Sequence, residues 1–150
     1  MNAAIEKKIL SLLNEHRIMT IATLRPDGWP QATTVGYVNE GMTVYFMCGR
    51  ESQKAHNLAG DSRVSVTIDH DASNLAEISG LNMAAHARLV DDDAEKARLL
   101  KKLPERYPEQ AVSELAEFSL DDVHVYRLEP KMISVLDYSK GFGHTELVTC

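Results

Sequence analysis

The chain predicts a mainly β fold with a few helices, α+β by content, built on six or seven antiparallel strands closed into a small barrel. Three observations lead there. Short alternating or apolar runs recur along the chain and are mostly joined by turns that suit hairpins. Helical patterns occur at only a few connections, unlike the strict strand–helix alternation of a parallel sheet. No dinucleotide-binding glycine run, Walker loop or nucleophile elbow breaks the pattern.

The elements follow in order. Ile5, Ile9, Leu12 and Leu13 recur at helical spacing within residues 3–16, with charges between them, which predicts an amphipathic helix. Ile18–Leu24 and Gln31–Val38 read as strands around Arg25-Pro26-Asp27-Gly28. In that turn proline presets φ, and glycine accepts the positive φ that a tight turn demands. Asn39-Glu40-Gly41 turns the chain again into a strand, Thr43–Cys48. Arg63–Ile68 has Val64, Val66 and Ile68 on one face, and 69–79 is polar and irregular. Leu81–Val90 is a strand rich in small residues, which suits a tightly packed sheet or the close approach of a flat ligand. A helix starts at Asp91-Asp92-Asp93, with Glu95 placed for a capping box, and Pro104 ends it near Leu103. A second helix over 108–118 and two strands, Val123–Leu128 and Met132–Leu136, complete the barrel. Glu129-Pro130 separates those strands, and an aromatic tail, 137–150, is expected to dock.

A length of 150 residues suits one domain with a real core. A net charge of -6 argues against nucleic-acid backbone as a partner, and no apolar run could span a membrane. Two cysteines, Cys48 and Cys150, make no disulfide framework, so a reducing, cytoplasmic location is expected. The six histidines lack metal-ligand spacing. Asp69-His70-Asp71 reads as a solvated turn, so no metal is expected.

One stretch stands out for chemistry. Ser52 is a good helix N-cap after a strand and the turn Gly49-Arg50-Glu51, and Gly60 ends the short helix. Helix starts leave N–H groups unpaired and carry partial positive charge, so anions bind there. Ser52 adds a hydroxyl, Gln53 an amide and Lys54 a full charge. Two readings remain open on these residues alone: a phosphate site, or an ordinary capped helix with a solvated lysine.

A longer series of motifs resembles a known family. Thr23-Leu24-Arg25-Pro26-Asp27-Gly28-Trp29-Pro30 is followed by Val44-Tyr45-Phe46, then Ser52-x-Lys54-x-x-Asn57-Leu58, then Arg63-Val64-Ser65-Val66. In order and over nearly the whole chain, this resembles the pyridoxamine 5'-phosphate oxidase-like family of FMN-binding split β-barrels. The resemblance implies FMN as cofactor, a homodimer with flavin sites at the subunit interface, and oxidoreductase chemistry on a small molecule. It places Thr33, Thr34, Val35 and Gly36 along the flavin, Met47 and Cys48 near its ribityl and phosphate part, and Ser52, Gln53 and Lys54 on the phosphate. The segment after the last strand would reach the neighbour's flavin with Leu136, Tyr138, Lys140, Phe142 and His144. No catalytic acid or base is assigned.

The sequence also departs from the family. Thr33 and Gln53 stand where the oxidases have arginines, Phe142 where they have a substrate arginine, and the helix around Leu99 and Leu103 lacks their phosphate-binding set. The expectation is FMN binding with an unassigned substrate rather than oxidation of pyridoxamine phosphate. The alternatives are a barrel using the deazaflavin F420, or a non-enzymatic flavin- or haem-binding protein.

Overall fold

A computed structural model describes residues 1–109 and 120–150. Among these residues lie three α-helices and eight strands: α1 (Ala3–Glu15), β1 (Ile18–Leu24), β2 (Pro30–Gly36), β3 (Val38–Glu40), β4 (Thr43–Gly49), α2 (Gln53–Gly60), β5 (Arg63–Asp69), β6 (Ser79–Val90), α3 (Asp93–Arg106), β7 (Val123–Asp137) and β8 (Thr145–Thr149). All pairings are antiparallel, in the order β2-β1-β5-β6-β7-β4-β3, with β8 beside β7. β2 and β3 are the two ends of that path, yet only Tyr37 separates them in the chain. One residue can join opposite edges only if the sheet curls until they meet, so this link defines the split barrel.

Strand alternation fills the barrel. Met19 and Ile21 of β1, Val64, Val66 and Ile68 of β5, Leu81 and Met83 of β6, and Ile133 of β7 point inward, and Ile5, Ile9, Leu12 and Leu13 of α1 join the same core. A smaller cluster lies on the outer side, where Leu99 of α3 packs on Val38, Tyr45, Val90 and Val125.

Several sequence expectations need correction. The run 31–38 is two strands, because Tyr37 leaves the sheet and buries its ring. Pro104 does not stop α3, which runs on to Arg106. Proline there removes a single hydrogen bond in the last turn, and the two residues beyond the proline-containing turn are firmly held. Arg106 donates to the carbonyls of Leu13, Asn14 and His16, and the Tyr107 hydroxyl donates to Arg17 O and accepts the Tyr37 N–H. α1 has no basic residue in its own last turn, so Arg106 supplies the cation that a helix C-terminus favours. The capping box does not form. Asp92 caps α3 through Ala94 N–H, whereas Glu95 accepts from Tyr45 and Arg127, each at 3.1 Å.

The two expected last strands are one, β7. Its pairing with β6 shifts register between Ala84 and Ala85, opposite Met132 and Pro130. Pro130 falls at this bulge, between the stretches paired to β4 and to β8, where no ladder bond is demanded of it. The tail docks as β8, an eighth strand beyond the expected number. The helix expected over 108–118 lies outside the described residues, apart from a turn at Pro108 and Glu109.

Tyr37 locks the seam. Its hydroxyl shares its one proton between Leu13 O at 2.7 Å and His16 O at 2.9 Å, and the Arg106 guanidinium lies 5.1 Å from its ring centre. Burial pushes the phenol up to about 12, with Arg106 pulling it back, whereas an unfolded tyrosine ionises near about 10. Between those values only the unfolded chain loses the proton, so stability drains away as pH rises through that window. Tyr37→Phe should cost about 1–2 kcal/mol at neutral pH and should flatten the alkaline decline. Urea melts from neutral to strongly alkaline pH test this; an unchanged alkaline slope would contradict it.

Candidate functional site

α2 lies against the β1–β2 hairpin near the open edge of β2, where the barrel is split. Ser52 caps it as the sequence predicts: its Oγ accepts the Ala55 N–H at 3.2 Å and donates to Gly49 O at 2.7 Å. His56 N–H goes to Ser52 O, and helix geometry leaves the first-turn N–H groups of Gln53 and Lys54 without intrahelical acceptors. Lys54 is half-buried and reaches across to β2, where Nζ donates to Thr33 Oγ1 at 2.7 Å. Among the described residues its side chain has no carboxylate within ion-pair distance.

Cys48 lines the same corner. Burial pushes its thiol up, while the hydrogen bond with Ser52 and the charge of Lys54 pull it down. The net rise keeps it a neutral thiol rather than a nucleophile. The structure thus brings Thr33, Cys48, Ser52 and Lys54 together at one corner, while the side chain of Gln53 turns to Asn57.

The remaining expected residues divide differently. Val35 packs against the core, and Thr34 points out from the barrel and is exposed, so these neighbours cannot both turn a side chain to one ligand. Gly36 and Met47 line a separate cavity of about 160 Å³ beneath α3, with Tyr37, Tyr45, Leu99 and Tyr107. A Cβ on Gly36 would lie 2.7 Å from the Tyr107 hydroxyl, so only glycine fits against that ring.

The tail set lies elsewhere in the chain. Cys48 pairs with His124 at one end of β7, and Leu136 stands near the other. The intervening strand measures about 40 Å at roughly 3.3 Å per residue. Lys140 and His144 both contact Glu146, at 3.4 and 3.3 Å. Tyr138 packs against Phe142 with ring centres 5.6 Å apart, and Phe142 is 85 % exposed on a loop between two positive-φ glycines. The tail residues lie together but far along the sheet from Lys54.

The sequence reading missed what fixes α2. Asn57, 1 % exposed, donates from Nδ2 to Thr23 Oγ1 at 2.9 Å and to Gln31 Oε1 at 3.1 Å, and its Oδ1 accepts from Gln53 at 2.9 Å. Thr23 is equally buried. The available signal was an asparagine on the helix face that also carries Ala55 and Leu58, together with a threonine continuing the inward row Met19–Ile21.

A sequence model described as pyridoxamine 5'-phosphate oxidase matches residues 5–137, and the chain belongs to that family. General stress protein 26 of Bacillus subtilis is 21 % identical over 103 residues, 69 % of this chain and 72 % of that protein. A pyridoxamine 5'-phosphate oxidase-like structure from Listeria innocua superposes with a TM-score of 0.73 at 22 % identity, covering 89 % of this chain and 98 % of the other. The haem storage protein HutZ of Vibrio cholerae gives 0.69 at 21 % identity, covering 96 % and 93 %. At such identities the structural likeness speaks for the fold. None of the helices described is long and apolar enough to cross a membrane.

Asn57→Leu should leave Thr23 and Gln31 without their donor and cost about 1–3 kcal/mol. Gln53→Ala, on an exposed residue, should cost far less. Thermal melts of the two variants give the comparison; equal melting temperatures would show that the buried amide does not hold α2.

Proposed function

We propose that this chain is an FMN-binding oxidoreductase whose anchor for the flavin phosphate is the start of α2. The observation that carries the reading is Lys54: a half-buried ammonium that faces a hydroxyl, at a helix start with N–H donors to spare. Such a corner is charged for an anion. Thr33 and Ser52 add hydroxyls, and β2, the end of the sheet path, has no second strand partner among the described residues and so offers backbone donors and acceptors along 33–36 to a polar ring. When bound, the flavin supplies the redox chemistry, while the protein holds its phosphate, orients its ring and shapes the pocket.

A dimer completes this proposal. Within one chain the tail residues are too far along the sheet to meet a flavin held by Lys54, so they would serve the partner's site. The outward face of the sheet supports this. Ala32 and Thr34 of β2, Thr20 and Ala22 of β1, Ser65 and Thr67 of β5, Asn82 and Ala84 of β6, Met132 and Ser134 of β7, and Leu147 and Thr149 of β8 lie in successive rows. None is charged, although a quarter of the chain is. Arg63 and Asp69 of β5, and Arg88 and Glu129 farther along β6 and β7, bound these two rows on the same face, so an uncharged centre sits inside a charged rim, the composition of an interface.

The same structure supports a substrate other than pyridoxamine phosphate. A second phosphate would require forked, available arginines. Arg98 is held by Glu40, Arg127 by Glu95, and Arg106 by the carbonyls ending α1. The cavity under α3 is lined instead by apolar and aromatic side chains. Flavin-loaded protein should therefore consume no oxygen above its apo control when given pyridoxamine phosphate; turnover of about one per second or more would restore the oxidase assignment.

The visible spectrum of the purified protein and the mass of the released cofactor test the reading directly. Flavin bands and the mass of FMN support it; a Soret band, or the mass of F420, overturns it. Lys54→Ala removes a charge-assisted hydrogen bond worth about 1.5–3 kcal/mol and should weaken FMN binding about tenfold to a hundredfold with little change in melting temperature. Phe142→Ala should also weaken FMN without loosening the fold, and sedimentation should show a dimer. Wild-type affinity in the lysine variant, or full FMN binding by a monomer, would contradict the proposal.

A further inference from the structure

Away from the Lys54 corner, the packing of α3 leaves a cavity that the fold holds open. Leu99 and Leu103, one turn apart on α3, form its roof, and Tyr45 and Met47, alternate residues of β4, form its floor. Tyr107 closes one end over Gly36, which has no side chain to meet it. Polar bonds fix the walls. Arg98 and Lys102 of α3 reach Glu40 at 2.8 and 3.5 Å, and Glu95 accepts from Tyr45 and Arg127, each at 3.1 Å. The Tyr107 hydroxyl meets the backbone of Arg17 and Tyr37. Protein interiors leave few voids larger than a water molecule, and an empty apolar void is destabilising. This one measures about 160 Å³, and closing it would break those bonds.

The chemistry of the lining selects what can enter. Among the described residues that line the cavity, none carries a charge. Its tyrosine hydroxyls already have partners: Tyr37 the carbonyls of Leu13 and His16, Tyr45 the carboxylate of Glu95, and Tyr107 the carbonyl of Arg17. The nearby charges are paired with one another, Arg98 and Lys102 with Glu40 and Arg127 with Glu95. A charged or strongly polar ligand would lose its water there without a partner in exchange. An uncharged ring loses little and gains contact, since phenol rings offer edges and faces and the Met47 thioether favours a ring edge. The size agrees, because an apolar cavity of about 150 Å³ binds benzene. Gly36 is exposed, and Met47, Leu103 and Tyr107 are half-buried, so the mouth lies between β2 and the end of α3.

We propose that the cavity under α3 is a binding site for a small molecule carrying one uncharged aromatic ring. The ring lies between Leu99 and Leu103 on one side and Tyr45 and Met47 on the other, and its binding stabilises the folded chain by filling the void. The lining shares no residue with the corner formed by Thr33, Cys48, Ser52 and Lys54, so the two sites stand or fall separately.

Fluorobenzene, titrated into the full-length protein and followed by fluorine NMR, tests this. Saturable binding of one molecule per chain is expected, with competition by benzene, none by benzoate, and a rise in melting temperature. Leu103→Phe places a ring in the cavity and should weaken fluorobenzene binding at least about tenfold. Leu75→Phe, at an exposed position outside the cavity, should bind as wild type. If Leu103→Phe fails to fold by circular dichroism, nuclear Overhauser effects from the bound ring to the Met47 methyl in the wild-type protein decide the matter. Unsaturable uptake, equal competition by benzoate, unchanged affinity in folded Leu103→Phe, or ring contacts elsewhere would overturn the proposal. FMN affinity, measured on the same samples, tells this failure from a failure of the phosphate anchor.

Discussion

The buried amide of Asn57 holds α2 against the β1–β2 hairpin, and the distances in the candidate site follow from that hold. Asn57 reaches two strands at once, through Thr23 and Gln31, and is itself held by Gln53. A buried amide is tolerated only where its donors and acceptors are met. Here that requirement selects one placement of the helix. With α2 set, its N-terminus faces β2, and Lys54 meets Thr33 there. The polar network and the Lys54 corner are therefore neighbours on one short helix: Asn57 anchors it one turn from the start at which Lys54 stands.

The barrel seam is a second constraint acting on the same region. Tyr37 passes the chain from one edge of the sheet to the other, and the Arg106–Tyr107 pair of α3 clamps it to the end of α1. This clamp brings α3 over the outer faces of β4 and β7 and creates the apolar cavity beside Gly36 and Met47. The corner at Lys54 and the cavity thus lie on different sides of the sheet, separated by the alternation of β2 and β4.

Local chemistry was legible in the sequence, and long-range partnership was not. Gly28 has the positive φ expected of its turn, and Gly41 stands in the turn expected at Asn39-Glu40-Gly41. Ser52 caps α2 as its residue type indicates, and the amphipathic spacing of Ile5, Ile9, Leu12 and Leu13 places α1. Prolines misled in both cases where the tertiary structure tolerates them. Pro104 sits in a last turn pinned by its neighbours, and Pro130 at a bulge between two paired stretches. Tyr37 and Asn57 could be seen only as oddities, a break in a strand and an amide on an apolar face, because their partners come from distant elements. The division of Thr33 from Thr34, and of Met47 from Cys48, follows from the period of two along a strand; grouping them by family position hid it.

A crystal structure of the protein grown with FMN tests the proposed phosphate anchor at Lys54 most directly. The flavin phosphate should lie within about 3 Å of Lys54 Nζ and the first amides of α2, with tail residues of a second copy near the ring. A phosphate bound away from Lys54, or a flavin site built without the start of α2, would contradict the account.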